Sequence, residues 1–310
     1  MFARVNGIDD LAILRELEPL AGRLLERHID SSREWFPHEL IPYERGRANT
    51  DAEWRECDAD LAGASISEAV RSALVVNLLT EDNLPYYFRT IERMFGADGI
   101  WGTWARRWTA EEGRHSMAIY GYLMVTRAVD PRALERARMH QVAGGMVPEP
   151  ADVCHGFFYV AMQELATRIA HRNTGMLLGD PAGYEVMKRV AADENRHYLF
   201  YRDLSTAAFE LVPNLAMQAL CDEVVNFEMP GAGIIDFAKH ASAIAKAGIY
   251  DLSIHHDQIL LPLVLRHWGI ENVAGLDADG ERARHKLLSH LEKSGRVAKR
   301  LAERRLATVG

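Results

Sequence analysis

Two six-residue stretches concentrate the residue types that do chemistry. Ala110-Glu111-Glu112-Gly113-Arg114-His115 and Ala192-Asp193-Glu194-Asn195-Arg196-His197 both read Ala-acid-Glu-x-Arg-His. An acid three positions before a histidine is uninformative alone, because a chain with 13 His and 44 acids offers about two by chance. The shared context raises the signal, and a second regularity raises it further. Glu81 precedes Glu112 by almost the same interval as Glu164 precedes Glu194. Each half therefore reads as a helix with one Glu, a loop, and a helix with Glu-x-x-His, the trace of a quasi-two-fold site. Positions i and i+3 share a helix face, so Glu112 with His115 and Glu194 with His197 can each reach one metal. Glu81 and Glu164, from the neighbouring helices, can then bridge or chelate. Carboxylates with one imidazole per metal suit iron or manganese, whereas tetrahedral zinc favours thiolate or more imidazole. Four carboxylates offset two divalent cations, which is how so many acids can be buried together. The bland alternative, two surface acids and two capped core histidines, leaves the doubled motif unexplained.

Long helices must position such a set, and the chain reads as helix nearly throughout. Residues 11–28 have helical apolar spacing and precede a polar loop, Trp35–Arg47. Ser65 or Ser67 can cap a helix running past Glu81 towards Met94. After Gly96–Gly99 a second long helix carries the first hexapeptide to Asp130-Pro131, where a short helix begins. Further helices are predicted over about 151–178, 181–211, 213–227, 233–247, 251–268 and 280–307, punctuated by Gly and Pro. No Ser/Gly linker divides the chain, so residues 1–310 read as one all-α domain. Helices of about 28 residues are roughly 42 Å long, the length of a bundle.

Composition narrows the class. The chain has 310 residues, is 48% hydrophobic and 26% charged, and carries a net charge of −8. That apolar content suits a substantial core and excludes a disordered chain. Cys57, Cys154 and Cys221 are too dispersed for a disulfide framework or a thiolate metal knuckle, and predict a reducing, cytoplasmic setting. No apolar run reaches the roughly 18 residues of a membrane span, and residues 1–10 lack a signal pattern. Positions 281–310 hold nine Lys and Arg against three Glu, whereas positions 1–280 carry a clear acidic excess. The basic segment, a helix over about 281–307, reads either as a solvated face or as a docking patch for an acidic partner. Nucleic acid is not expected, because the acidic body would repel phosphates.

At the motif residues the chain resembles the soluble acyl-acyl carrier protein desaturases, the plant stearoyl desaturase family and its actinobacterial branch. The matching segments are Thr80-Glu81-Asp82-Asn83-Leu84-Pro85, Trp108-Thr109-Ala110-Glu111-Glu112-Gly113-Arg114-His115, Gln163-Glu164-Leu165-Ala166-Thr167, His171-Arg172-Asn173-Thr174-Gly175 and Asp193-Glu194-Asn195-Arg196-His197. The loop from Trp35-Phe36-Pro37 to Pro42 matches as well, and coverage runs from about residue 14 to 265.

The resemblance implies a ferritin-like di-iron four-helix bundle core, about residues 65–211, with additional helices. It implies two iron ions held by Glu81, Glu112, His115, Glu164, Glu194 and His197. The reaction implied is O2-dependent insertion of a cis double bond into an acyl thioester on acyl carrier protein. Ferredoxin supplies two electrons, and the enzyme is a homodimer. Thr167 matches a threonine beside the oxygen-binding face, and Thr80 lines the same region. Trp35, Trp108 and Asp193 match an electron-transfer route, with Asp193 orienting a ligand histidine; ordinary core packing is the competing role for both tryptophans. Thr90 and Met94 match positions near the acyl channel, where plain core packing again competes. His171 reads as a buried, hydrogen-bonded histidine one turn beyond the site, and His255-His256-Asp257 as surface or interface residues.

Two departures stand out. Gly113 replaces the usual Asn inside a ligand helix, at a cost of about 1 kcal/mol relative to Ala, either making room near the metals or merely tolerated. The loop 141–151 is shorter than in relatives. Alternative functions are another di-iron oxygenase, a hydroxylase or N-oxygenase on a carrier-bound substrate, and ferritin-like iron oxidation. The first tends to add a further His ligand that has no obvious counterpart here, and ferritins are far shorter.

Overall fold

Capping side chains and prolines set the helix boundaries. A computed structural model describes residues 9–46, 66–231 and 233–309; Cys57, the alternative cap Ser65 and positions 1–8 lie outside them. Helix α1 (Asp10–Ser31) starts where the Asp9 carboxylate accepts the Ala12 N–H at 2.8 Å. A single turn at Pro37–Leu40 follows. Ser67 caps α2 (Glu68–Glu81), and α3 is Leu84–Phe95. Next come α4 (Gly99–Thr126) and α5 (Pro131–Gly144), the latter begun by Asp130 with Pro131 in its first turn. Asp152 caps α6 (Val153–Leu177), and Asp180 caps α7 (Pro181–Leu211). The remainder is α8 (Pro213–Val225), α9 (Phe237–Lys246), α10 (Leu252–His255) continuing as a π-helix over His256–His267, and α11 (Ala278–Val309). No strand occurs among the described residues.

One boundary differs from the sequence expectation. The helix predicted from Ser67 towards Met94 breaks at Asp82–Asn83. Pro85 has no N–H, and its ring would strike the carbonyl four residues back, which is that of Glu81. The first helix therefore ends on Glu81, and α3 restarts with Pro in its first turn.

Helices α2, α4, α6 and α7 form the bundle, with α6 and α7 joined by a short turn and packed along their length. Two apolar clusters fill it. Trp101, Trp104, Ala105 and Trp108 of α4 belong to the larger cluster, and Ala118, Ile119, Tyr122 and Leu123 to the other. Helix α7 repeats the pattern in reverse, with Val186, Met187 and Val190 in the second cluster and Phe200, Tyr201 and Leu204 in the first. Between those runs lie Glu111, Glu112 and His115 on α4 and Asp193, Glu194 and His197 on α7, all buried. A belt of acids and histidines is thus sealed between two dry layers, which keeps its side chains in low dielectric.

Outside the bundle, α1 crosses α7 and α4, α9 packs on α2, α8 and the π-helix lie against α6, and α11 packs on α8 and α10. Leu287, Leu291 and Ala298 form the buried stripe of α11. On its exposed face Lys293, Arg296, Lys299 and Arg300 make no ion pair among the described residues. His255 and His256, expected at a surface or an interface, are buried within the chain. His255 stacks on Phe227 with ring centroids 4.7 Å apart and shares a 2.8 Å hydrogen bond with the Tyr250 hydroxyl. Burial lowers its pKa to about 4.

Candidate metal centre

The structure brings the six predicted ligands together at the middle of the bundle. Glu81, Glu112, His115 and Glu194 form one group with candidate ligand atoms within 4.8 Å of one another; Glu112, Glu164, Glu194 and His197 form a second. Glu112 and Glu194 belong to both. Two ions held by these groups would share Glu112 and Glu194, with Glu81 and His115 at one end and Glu164 and His197 at the other. One Glu from each of two helices plus Glu-x-x-His from each of the others is the pattern of di-iron and di-manganese carboxylate bundles.

Both imidazoles turn the same nitrogen inward. His115 Nδ1 lies 3.3 Å from Glu112, 3.7 Å from Glu81 and 3.8 Å from Glu194. His197 Nδ1 lies 2.8 Å from Glu112, 3.6 Å from Glu164 and 3.8 Å from Glu194. Their outward Nε2 atoms each donate to an acid on the opposite helix. His115 donates to Asp193 at 3.3 Å, and His197 donates to Glu111 at 3.0 Å. These acids occupy the same place in the two hexapeptides, so each motif steadies the other motif's histidine. Asp193 also accepts from Trp35 Nε1 and Arg114, both at 3.0 Å, and from Arg196. Trp108 Nε1 donates to the Glu164 carboxylate at 3.0 Å, a directed contact that core packing alone does not require.

Proton affinities reveal strain in this belt. Burial and the neighbouring Glu194 charge push Glu164 up to about 8. Burial also raises Glu112, with Glu81 adding to it. Burial opposes ionised Glu81, but the adjacent His115 and His171 imidazoles outweigh it and hold the carboxyl low. His115 and His197 are raised well above the ordinary range, burial notwithstanding, by the surrounding carboxylates. By hydrogen-bond geometry, Nδ1 of both histidines, Oε1 of Glu112 and Oε2 of Glu164 and Glu194 have no partner despite full burial. Crowded acceptors and inward lone pairs without donors are what a pair of divalent cations would satisfy. The residues fit two iron or manganese ions.

Apolar space runs past this centre. A cavity of about 110 Å³ and another of about 50 Å³ meet at Thr80, Glu81 and Thr167, which line both. The smaller one reaches Thr90 and Met94. Met94 in turn packs against Gly156, where an added Cβ would fall 2.1 Å from the Met94 sulfur. The larger one shares Met229, Ala241 and Tyr250 with an open groove of about 850 Å³. The Thr167 hydroxyl donates to the Glu164 carbonyl at 3.0 Å, and the Thr80 hydroxyl to the Val76 carbonyl at 2.8 Å, so both stand at the cavity wall.

Three residues escaped the sequence reading of the site. Glu111 carried a signal, the acid shared by both hexapeptides. His171 is more than a buried neighbour: its Nε2 lies 3.2 Å from Glu81 and 3.3 Å from Glu194. His28 on α1 touches Glu111 at 2.8 Å, and no local motif marks it. Gly113 is not required for space, since an added Cβ would meet only Leu84 at 3.9 Å.

The sequence model described as fatty acid desaturase matches residues 9–309. The putative acyl-[acyl-carrier-protein] desaturase DesA1 of Mycobacterium tuberculosis H37Rv is 42% identical over 288 residues, spanning 90% of this chain and 84% of that protein. The chloroplastic acyl-[acyl-carrier-protein] desaturase 4 of Oryza sativa subsp. japonica is 34% identical over 307 residues, 91% and 72% of the two chains. The X-ray structure of putative acyl-ACP desaturase DesA2 from M. tuberculosis H37Rv aligns with a TM-score of 0.65 at 25% identity, covering 88% of this chain and 99% of that one.

Proposed function

The chain belongs to the fatty acid desaturase family, and from that premise we propose that it is a di-iron acyl-[acyl-carrier-protein] desaturase. It uses O2 and two electrons from ferredoxin to place a cis double bond in an acyl chain held as a thioester on acyl carrier protein. The chain loses two hydrogens; with two electrons and two further protons, O2 leaves as two waters. The observation that carries this reading is the pair of carboxylate–histidine groups sharing Glu112 and Glu194, flanked by narrow apolar space.

Bound there, two irons supply the O2 activation that breaks unactivated C–H bonds. The protein's own residues do the rest. Asp193 and Glu111 hold His115 and His197 by Nε2, leaving each Nδ1 lone pair facing the carboxylates. The cavities pass the Thr80–Glu81–Thr167 wall, so an alkyl chain threaded through them lies beside the centre with its methyl end towards Met94. Their apolar lining excludes water, which protects a reactive centre from side reactions. Thr167 offers a hydroxyl at that wall for proton transfer. Trp35, hydrogen-bonded to Asp193 and stacked 6.5 Å from His115, supports an electron path inward from the loop before α2.

Carrier protein and ferredoxin are both acidic, and the exposed Lys293, Arg296, Lys299 and Arg300 on α11 offer them a complementary face. A homodimer in the cytoplasm completes the reading. No helix among the described residues is long and apolar enough to cross a membrane. The test incubates iron-loaded protein with ferredoxin, its reductase, O2 and a panel of acyl carrier protein thioesters. A product two mass units lighter is expected on at least one chain. Unchanged chains throughout, with iron bound and ferredoxin reduced, would overturn the proposal.

A further inference from the structure

The surroundings of the two inward histidines are mirror-like, and the mirror holds one residue outside the ligand motifs. On one side the Trp35 ring lies nearly parallel to His115, with centroids 6.5 Å apart and planes at 8°. The Trp35 N–H donates to Asp193, the acid that accepts from His115 Nε2. On the other side the His28 ring lies nearly parallel to His197, with centroids 5.8 Å apart and planes at 14°. His28 Nε2 meets Glu111 at 2.8 Å, and Glu111 is the acid that accepts from His197 Nε2 at 3.0 Å. Both sides are sealed: His28 is 3% exposed and Trp35 is 3% exposed.

We propose that His28 is a positioning residue for the metal held by His197, Glu164, Glu112 and Glu194, as Trp35 is for the metal at His115. The argument is a chain of hydrogen bonds. Glu111 can hold His197 in the tautomer with Nδ1 free only if its carboxylate is fixed and ionised. One Glu111 oxygen takes both His28 and His197, and the other takes Arg107 at 2.5 Å. Arg107 is 40% exposed and Arg114 comes only to 4.0 Å of that oxygen, so the buried His28 donor supplies the rigid share. Its stacked ring fills the space beside His197 in the same stroke. The two metals thus have matching ligands but unlike outer donors, an indole at one end and an imidazole at the other. The proposal rests on the two-metal reading above.

Two substitutions separate the hydrogen bond from packing. His28→Phe keeps a ring against His197 and deletes the donor; His28→Gln keeps an N–H at comparable reach and deletes the ring. Metal-free protein is titrated with Co(II), followed by d–d absorption and by metal content per chain. Wild type is expected to bind two ions. His28→Phe should weaken one of the two by tenfold or more, within the range known for residues behind metal ligands, and leave the other within about threefold. His28→Gln should return the weakened site to within about threefold of wild type, and Trp35→Phe should weaken the opposite ion. His28→Met, which has neither donor nor ring, replaces the Phe variant should that not fold. Two unchanged sites in His28→Phe, or both sites weakened alike, would overturn the inference. So would a third ion per chain lost with His28, because His28, Glu111 and His197 are close enough to form a metal group themselves. Wild type that binds no pair of ions would instead defeat the two-metal reading.

Discussion

Trp108 offers a test of whether its indole serves the centre or only the core. Trp108→Phe keeps an aromatic ring in the larger apolar cluster and removes the N–H that reaches Glu164 at 3.0 Å. Without metal, Glu164 is pushed up to about 8 and is mostly protonated at pH 7. With metal it must be ionised. A hydrogen bond to a neutral acceptor contributes about 0.5–1.5 kcal/mol, and one to a charged group about 1.5–3 kcal/mol. Packing lost with the smaller ring is common to both states and cancels. The remaining difference, about 1–1.5 kcal/mol, falls on metal affinity alone and corresponds to roughly five- to twelvefold weaker binding. The assay pairs Fe(II) or Co(II) titration with thermal melts of metal-free protein. A lowered metal-free melting temperature with unchanged metal affinity would refute the reasoning and return Trp108 to a packing role.

Gly113→Ala should stabilise the metal-free protein by about 1 kcal/mol, with metal content unchanged, because the added methyl meets only Leu84 at 3.9 Å; a lower melting temperature or lost metal would show that the glycine is needed. Met94→Ala should enlarge the cavity that Met94 lines, shifting preference towards chains about two carbons longer at about 0.8 kcal/mol per methylene. Competition between acyl thioesters of different length reads this out, and an unmoved preference would place the chain elsewhere. The last prediction concerns pH. Glu164 at about 8 and His171 at about 9 lie above their unfolded values, so their protonated forms stabilise the metal-free fold at low pH. That contribution is lost as pH rises through 8 and 9, so metal-free melting temperature should fall between pH 6.5 and 8.5. Metal takes the place of the Glu164 proton, so the stabilisation by Mn(II) should grow over the same window by about 1.4 kcal/mol per pH unit for each ligand proton displaced. A metal-induced shift that shrinks with rising pH would contradict this.

The site was legible where its residues share a helix. Glu112 with His115 and Glu194 with His197 follow from i, i+3 spacing, and the near-equal offsets upstream of the two motifs pointed to Glu81 and Glu164. Which carboxylates lie between the metal positions depends on how α2 and α6 sit against α4 and α7, which spacing does not encode. Glu111 was visible in the repeated hexapeptide yet unread, because its partner His197 lies on the other motif. His28 carries no local signal at all: its meaning comes from α1 crossing the bundle far from Glu111 in sequence. The break after Glu81 was readable from Pro85, whose ring excludes the carbonyl four residues back. His255 and His256 point to a surface or an interface in the sequence because adjacent helical positions face different directions, whereas α11 and Phe227 bury them within the chain.

Crystals of the protein loaded with Fe(II) under anaerobic conditions, with anomalous scattering at the iron edge, address the central claim. Two iron peaks per chain are expected between Glu112 and Glu194, one beside Glu81 and His115 Nδ1 and the other beside Glu164 and His197 Nδ1. A single peak, no iron among these six side chains, or histidines ligating through Nε2 would contradict it.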